Sequence, residues 1–115
     1  MPLFGAVQTP TELASGDKLA VLNAENLALN ALTMAVSLTP QPTTVLLALY
    51  NNSGQVVTLV ASPDLVAAHF LPVSSVGTAI SVAAGTVGEF LVSPGLYYAV
   101  EAGAAITAGT IWLAR

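Results

Sequence analysis

A small all-β sandwich, jelly-roll-like in its wrapping, is the architecture this chain predicts, on three observations. Short runs alternating apolar with polar residues recur from about Ala31 to the last residue. Clusters of Gly, Pro, Asn and Ser separate them at fairly regular spacing, and no α/β alternation competes. The 115 residues fill one domain. We read residues 17–115 as a sandwich of seven to eight strands, preceded by an extended N-terminal arm, 1–16.

The arm, "MPLFGAVQTPTELASG", has two Pro, two Gly and no sustained period. Its apolar residues, Leu3, Phe4, Val7 and Leu13, are wasted on solvent but useful as anchors on a neighbouring molecule. From Asp17 to Asn26 a short helix is expected, with Leu19 and Leu22 on one face behind an Asp17 cap. Leu32, Met34, Val36 and Leu38 then alternate as a half-buried strand, which Pro40 and Pro42 end because proline gives a ladder no donor. "TTVLLALYNNSGQVVTLV", residues 43–60, reads as a hairpin, since "NNSG" supplies Asn and Gly where a tight turn needs positive φ.

Ser62-Pro63-Asp64 is a further turn, and "LVAAHFLPV" fits either a strand or one helical turn. "GTAISVAAG" and "TVGEFLV" follow as strands, the second with Phe90 and Val92 opposite Glu89 and Leu91. "SPG" turns the chain into "LYYAVEA", which sets Leu96, Tyr98 and Val100 against Tyr97, Ala99 and Glu101. The "TIWLA" stretch ends the molecule as a strand in which Trp112 reads as core.

Composition narrows the function. The chain is 55% hydrophobic and 7% charged, against roughly 25% charged in an ordinary domain. Such a surface must be covered by partners or coated with small polar residues. The longest apolar-leaning window, Ala20 to Leu38, carries Asn23, Glu25, Asn26 and Asn30, so no membrane span or secretory leader is expected. A net charge of −4, with Lys18 and Arg115 the only cations, argues against nucleic acid. Cysteine is absent, which excludes disulfides and thiol chemistry.

Catalysis has little to draw on. His69 is the single histidine, with Asp64 five residues before it. Glu89 and Glu101 fall on strands expected to neighbour each other across "SPG", where paired carboxylates would suit glycoside hydrolysis; two isolated surface acids are the plainer account. No spacing calls for a metal or other cofactor, so the chain is read as a non-enzyme.

The feature that stands out is the strand from Thr43 to Tyr50, apolar on both faces. One face enters the sandwich and the other meets another chain; Val45, Leu47 and Leu49 are assigned to the subunit interface. A homo-oligomer follows, a closed trimer being one way to satisfy every copy.

In layout the chain resembles the small decoration, or cement, proteins of tailed-bacteriophage heads. The likeness lies in the Pro- and Thr-bearing arm "MPLFGAVQTPTELASGD" ahead of a β domain rich in Ala, Val, Thr and Gly that closes with "SPGLYYAVEAGAAITAGTIWLAR". It covers the whole length without a signature motif. The resemblance implies a structural virion protein: a trimer on the outer capsid surface that clamps neighbouring major capsid subunits, its arm lying across them. The alternative is a carbohydrate- or receptor-binding sandwich from a spike or fibre, which predicts an exposed aromatic pair such as Tyr97 with Tyr50.

Overall fold

Alternation of buried and exposed residues along β4 (Val45–Asn52) holds without a break: Val45, Leu47, Leu49 and Asn51 face inward, and Leu46, Ala48, Tyr50 and Asn52 face out. That period places β4 inside a sheet with one covered and one open face. The computed structural model describes residues 10–38, 44–75, 78–79, 81–93 and 95–115. It confirms the β-sandwich.

A four-stranded antiparallel sheet runs in the order β10 (Thr86–Val92), β4, β12 (Thr110–Ala114), β2 (Lys18–Asn23). It packs on a six-stranded sheet ordered β1 (Thr11–Leu13), β3 (Val36–Leu38), β11 (Tyr97–Ala102), β5 (Val57–Ser62), β6 (Leu71–Pro72), with β9 (Ser81–Val82) also paired to β5. Between them lies one core containing Leu13, Val21, Leu47, Leu59, Ile106 and Leu113. The two sheets together exceed the seven or eight strands expected, because the short pieces β1, β6 and β9 add to the larger one; a separate short pair, β7 (Ser74–Ser75) with β8 (Thr78–Ala79), lies outside both.

Seven strands carry the wrapping. Taken in chain order, β2, β3, β4, β5, β10, β11 and β12 alternate between the sheets, and their pairs are nested: β2 with β12, β3 with β11, β4 with β10. A long hairpin rolled onto itself has this pairing, which is the jelly-roll wrapping.

The nesting corrects two expected hairpins. β4 and β5 do not pair with each other; β4 lies in the smaller sheet and β5 in the larger, so "NNSG" is a corner that carries the chain between layers. Asn51 builds that corner. Its buried amide donates to the carbonyls of Gln55 (2.7 Å) and Val82 (3.0 Å), while its oxygen accepts from the Ser53 hydroxyl (2.6 Å) and backbone N–H (3.2 Å). The same is true of "SPG": β10 and β11 belong to different sheets, so Glu89 and Glu101 are not on neighbouring strands. Tyr98 closes this second corner, donating its hydroxyl to the Ser93 carbonyl at 2.6 Å.

The helix expected over Asp17–Asn26 is instead β2. Its ladder with β12 shifts register between Ile111 and Trp112, leaving Val21 as the extra residue. This bulge lets both Val21 and Leu22 point inward and breaks the period of two that marks a strand. The half-buried strand expected from Leu32 is regular over Val36–Leu38; before it, Leu32 makes a single bridge to Glu101. Pro40 and Pro42 lie outside the described residues. The ambiguous stretch "LVAAHFLPV" resolves into a single 3-10 turn, Ala67–His69, followed by β6.

Thr11–Leu13 pairs in parallel with β3 at the sheet edge, so the sandwich takes in the last part of the segment read as an arm.

Candidate functional site

Among the described residues, four of the eight exposed large hydrophobic side chains lie on the outer face of the four-stranded sheet. Four register rows cross it, one of them the polar positions Asn52, Thr110 and Asn23. Leu91 lies beside Leu46; Glu89, Ala48, Ala114 and Lys18 form the next row; Val87, Tyr50, Trp112 and Ala20 form the third. Leu91 is 75% exposed, Val87 55%, Leu46 51% and Tyr50 47%. These residues point out because their neighbours in sequence, Phe90, Val92, Leu47, Leu49, Ile111 and Leu113, fill the core, and a pleated strand sends successive side chains to opposite sides. A contiguous exposed apolar surface is the usual mark of a docking site.

Two sequence assignments change here. Val45, Leu47 and Leu49, expected at the subunit interface, are 6%, 0% and 0% exposed and belong to the core; the open face of the same strand is Leu46, Ala48 and Tyr50. Burial chose between two apolar faces that alternation alone leaves equivalent. Trp112, read as core, stands outward and half-buried beside Tyr50. With Lys18, Asn52, Thr110 and Ala114 these two rings line a shallow cavity of about 370 Å3.

Of the residues assigned to a capsid-binding arm, Leu3, Phe4 and Val7 lie outside the described residues. Leu13 is 1% exposed and packed in the core, where it cannot serve as an anchor on another molecule. Its position follows from the ladder with β3, which turns it inward opposite Leu38. The Arg115 guanidinium donates to the Leu13 carbonyl at 2.8 Å and holds this segment to the end of β12.

His69 sits beside a second groove, of about 400 Å3, lined by Leu71, Pro72, Val73, Leu91 and Tyr98 among others. Its Nδ1 lies 2.8 and 3.0 Å from the two oxygens of Asp64. That carboxylate also accepts from the Val66 backbone N–H and the Ser62 hydroxyl, each near 3 Å. The Val66 N–H, then His69 and Ser62, hold the Asp64 carboxyl below its ordinary value. Serine, aspartate and histidine are thus together, but the serine hydroxyl bonds the carboxylate rather than the imidazole. Nothing in that order takes a proton from the serine, so the cluster braces the turn instead of activating a nucleophile. Among the described residues no group of three His, Asp or Glu side chains is placed to hold a metal ion.

Sequence reasoning recognised that one strand has two apolar faces but missed how far the open face extends. The signal was there: Val87 and Leu91 stand opposite Phe90 and Val92 in the same alternation, making a second strand apolar on both sides. That β10, β4 and β12 lie side by side is a matter of topology. Comparison with protein-family models, with curated proteins and with solved structures found no match.

Proposed function

We propose that this chain is a structural virion protein that binds the outer surface of a tailed-phage capsid and stabilises it by clamping neighbouring major capsid subunits. One observation carries the reading: a folded sandwich with an open sheet face bearing Leu46, Tyr50, Val87, Leu91 and Trp112, on a chain with only 7% charged residues. A surface of this kind works by contact. Cementing needs no reaction; contacts that exist only in the assembled shell favour that shell by mass action. The negative net charge suits an outer position away from packaged DNA. Leu3, Phe4 and Val7 retain the role of arm anchors in this proposal, whereas Leu13 does not.

The test is co-sedimentation of the purified chain with heads of the source phage stripped of it, followed by heating. Saturable binding and a higher temperature of DNA release support the proposal; no binding to intact or expanded heads defeats it. Deleting residues 1–9 separates the arm's contribution from that of the sandwich, which begins its pairing at Thr11.

A carbohydrate-binding reading has its own support, because Tyr50 and Trp112 flank a shallow cavity edged by Asn52, Thr110 and Lys18. Aromatic faces beside hydrogen-bonding groups are how sugars are held. The aromatic pair differs from the one expected, since Tyr97 lies on β11 in the other sheet. A glycan array tests it: hits lost in Trp112→Ala favour this reading over the shell, and a blank array removes it.

A further inference from the structure

We infer that the outer face of the β10-β4-β12-β2 sheet is self-complementary and docks a second copy of this chain about a twofold axis parallel to the strands. The charges on the face carry the argument. Its ladder positions hold one acid, Glu89 on the edge strand β10, and one base, Lys18 on the opposite edge strand β2. Both lie in a single register row, Glu89, Ala48, Ala114, Lys18. One charge of each sign therefore ends a row whose middle is two alanines.

Place a twofold axis in the interface, between β4 and β12. Rotation carries β10 of one copy over β2 of the other, so Glu89 meets the partner's Lys18 and Lys18 meets the partner's Glu89. The paired alanines at the centre let the sheets approach to about 10 Å, the spacing of stacked sheets, which long Glu and Lys side chains bridge at the rim. In the adjoining row Tyr50 comes over the partner's Trp112, and the reverse, an aromatic contact made twice. The other in-plane axis, running across the strands, would lay Glu89 toward the partner's Glu89. Like charges select against it.

Area and net charge agree with a second copy as the occupant. Four strands at about 4.8 Å spacing and a β4 of eight residues at about 3.4 Å rise span on the order of 500 Å2 in projection. Counted on both partners that is about 1,000 Å2, the lower end of what a specific interface buries. Two chains of net charge −4 repel each other in general. This face is balanced, and it uses one of the chain's two cations.

The experiment is sedimentation equilibrium of the full chain over a wide concentration range in low salt, with variants. Twice the 11.6 kDa chain mass is expected for the native protein. Glu89→Lys and Lys18→Glu each turn two attractive contacts repulsive and should raise the dissociation constant about tenfold or more. The double variant restores opposite charges and should return to within about threefold of native. Leu91→Asp, at a position too exposed to disturb the fold, should leave only monomer, with an unchanged thermal transition as the folding control. A native monomer or trimer overturns the inference, as does a double variant no tighter than the singles. Dimerisation that appears only after residues 1–9 are removed also overturns it, by making that segment the occupant. No shell enters this measurement; because the capsid reading uses the same face, the dimer is the free form of the chain and has to dissociate when it binds a shell.

Discussion

Replacing Asn51 with alanine tests the corner that turns the expected hairpin into a crossing between sheets. The side chain is 1% exposed and engaged in four hydrogen bonds, two given to the Gln55 and Val82 carbonyls and two taken from Ser53. At about 1 kcal/mol for each, less what water recovers at the half-buried Gln55, the loss is about 3–4 kcal/mol. A domain of this size has about 5–15 kcal/mol in total, so about a fifth of its stability or more goes with one side chain. The melting temperature should fall about 15 °C. Chemical denaturation followed by tryptophan fluorescence reads the change, with the exposed neighbour Asn52→Ala as a control expected within about 0.5 kcal/mol of native. Asn51→Asp should be worse than alanine at neutral pH, since it aims a buried negative charge at two carbonyl oxygens. Its folded pKa would be raised, so its stability should be greatest at low pH and decline as pH rises through that value. If Asn51→Ala and Asn52→Ala prove equally mild, the corner does not depend on this network.

The remaining predictions follow from burial, charge and backbone geometry. Leu47→Ala should cost about 2–5 kcal/mol in a denaturation experiment, whereas Leu46→Ala, measured on dilute monomer, should cost about 1 kcal/mol or less; equal effects would contradict the assigned faces. Asp64 has its carboxyl held below 3.8 by the Val66 N–H, His69 and Ser62, so its contribution is present at neutral pH and lost as pH falls through the lowered value. Asp64→Asn should therefore be less stable than native near neutrality, with the gap closing in strong acid; a pH-independent gap would show that the interaction is not ionic. Gly109 has a φ of +102°, and a methyl group there would run into the Asn52 carbonyl and Ser53 Cα. Gly109→Ala should thus destabilise by about 2 kcal/mol or more, while Gly54→Ala, at φ +78° with open space around it, should cost about 1 kcal/mol.

By itself the sequence determined that the chain is all-β, where most of its strands run, and that one strand has no polar side to show to water. These are local properties: the period of two along β4, β10 and β12, and turn residues such as Asn51–Gly54, report on nearby backbone alone. Which strand pairs with which was decided by the tertiary structure. A tight turn and an inter-sheet corner use the same Asn, Ser and Gly residues; what separates them is whether the amide of Asn51 reaches Val82, thirty-one residues away. The choice of inner face was likewise tertiary, because burial is non-directional and rewards Val45, Leu47 and Leu49 no more in principle than Leu46, Ala48 and Tyr50. The β2 bulge hid a strand for a related reason, as an extra residue opposite Ile111 and Trp112 is defined only once β12 lies alongside. The open face arose in the same way, when three strands far apart in the chain were laid side by side and their second apolar sides became one surface.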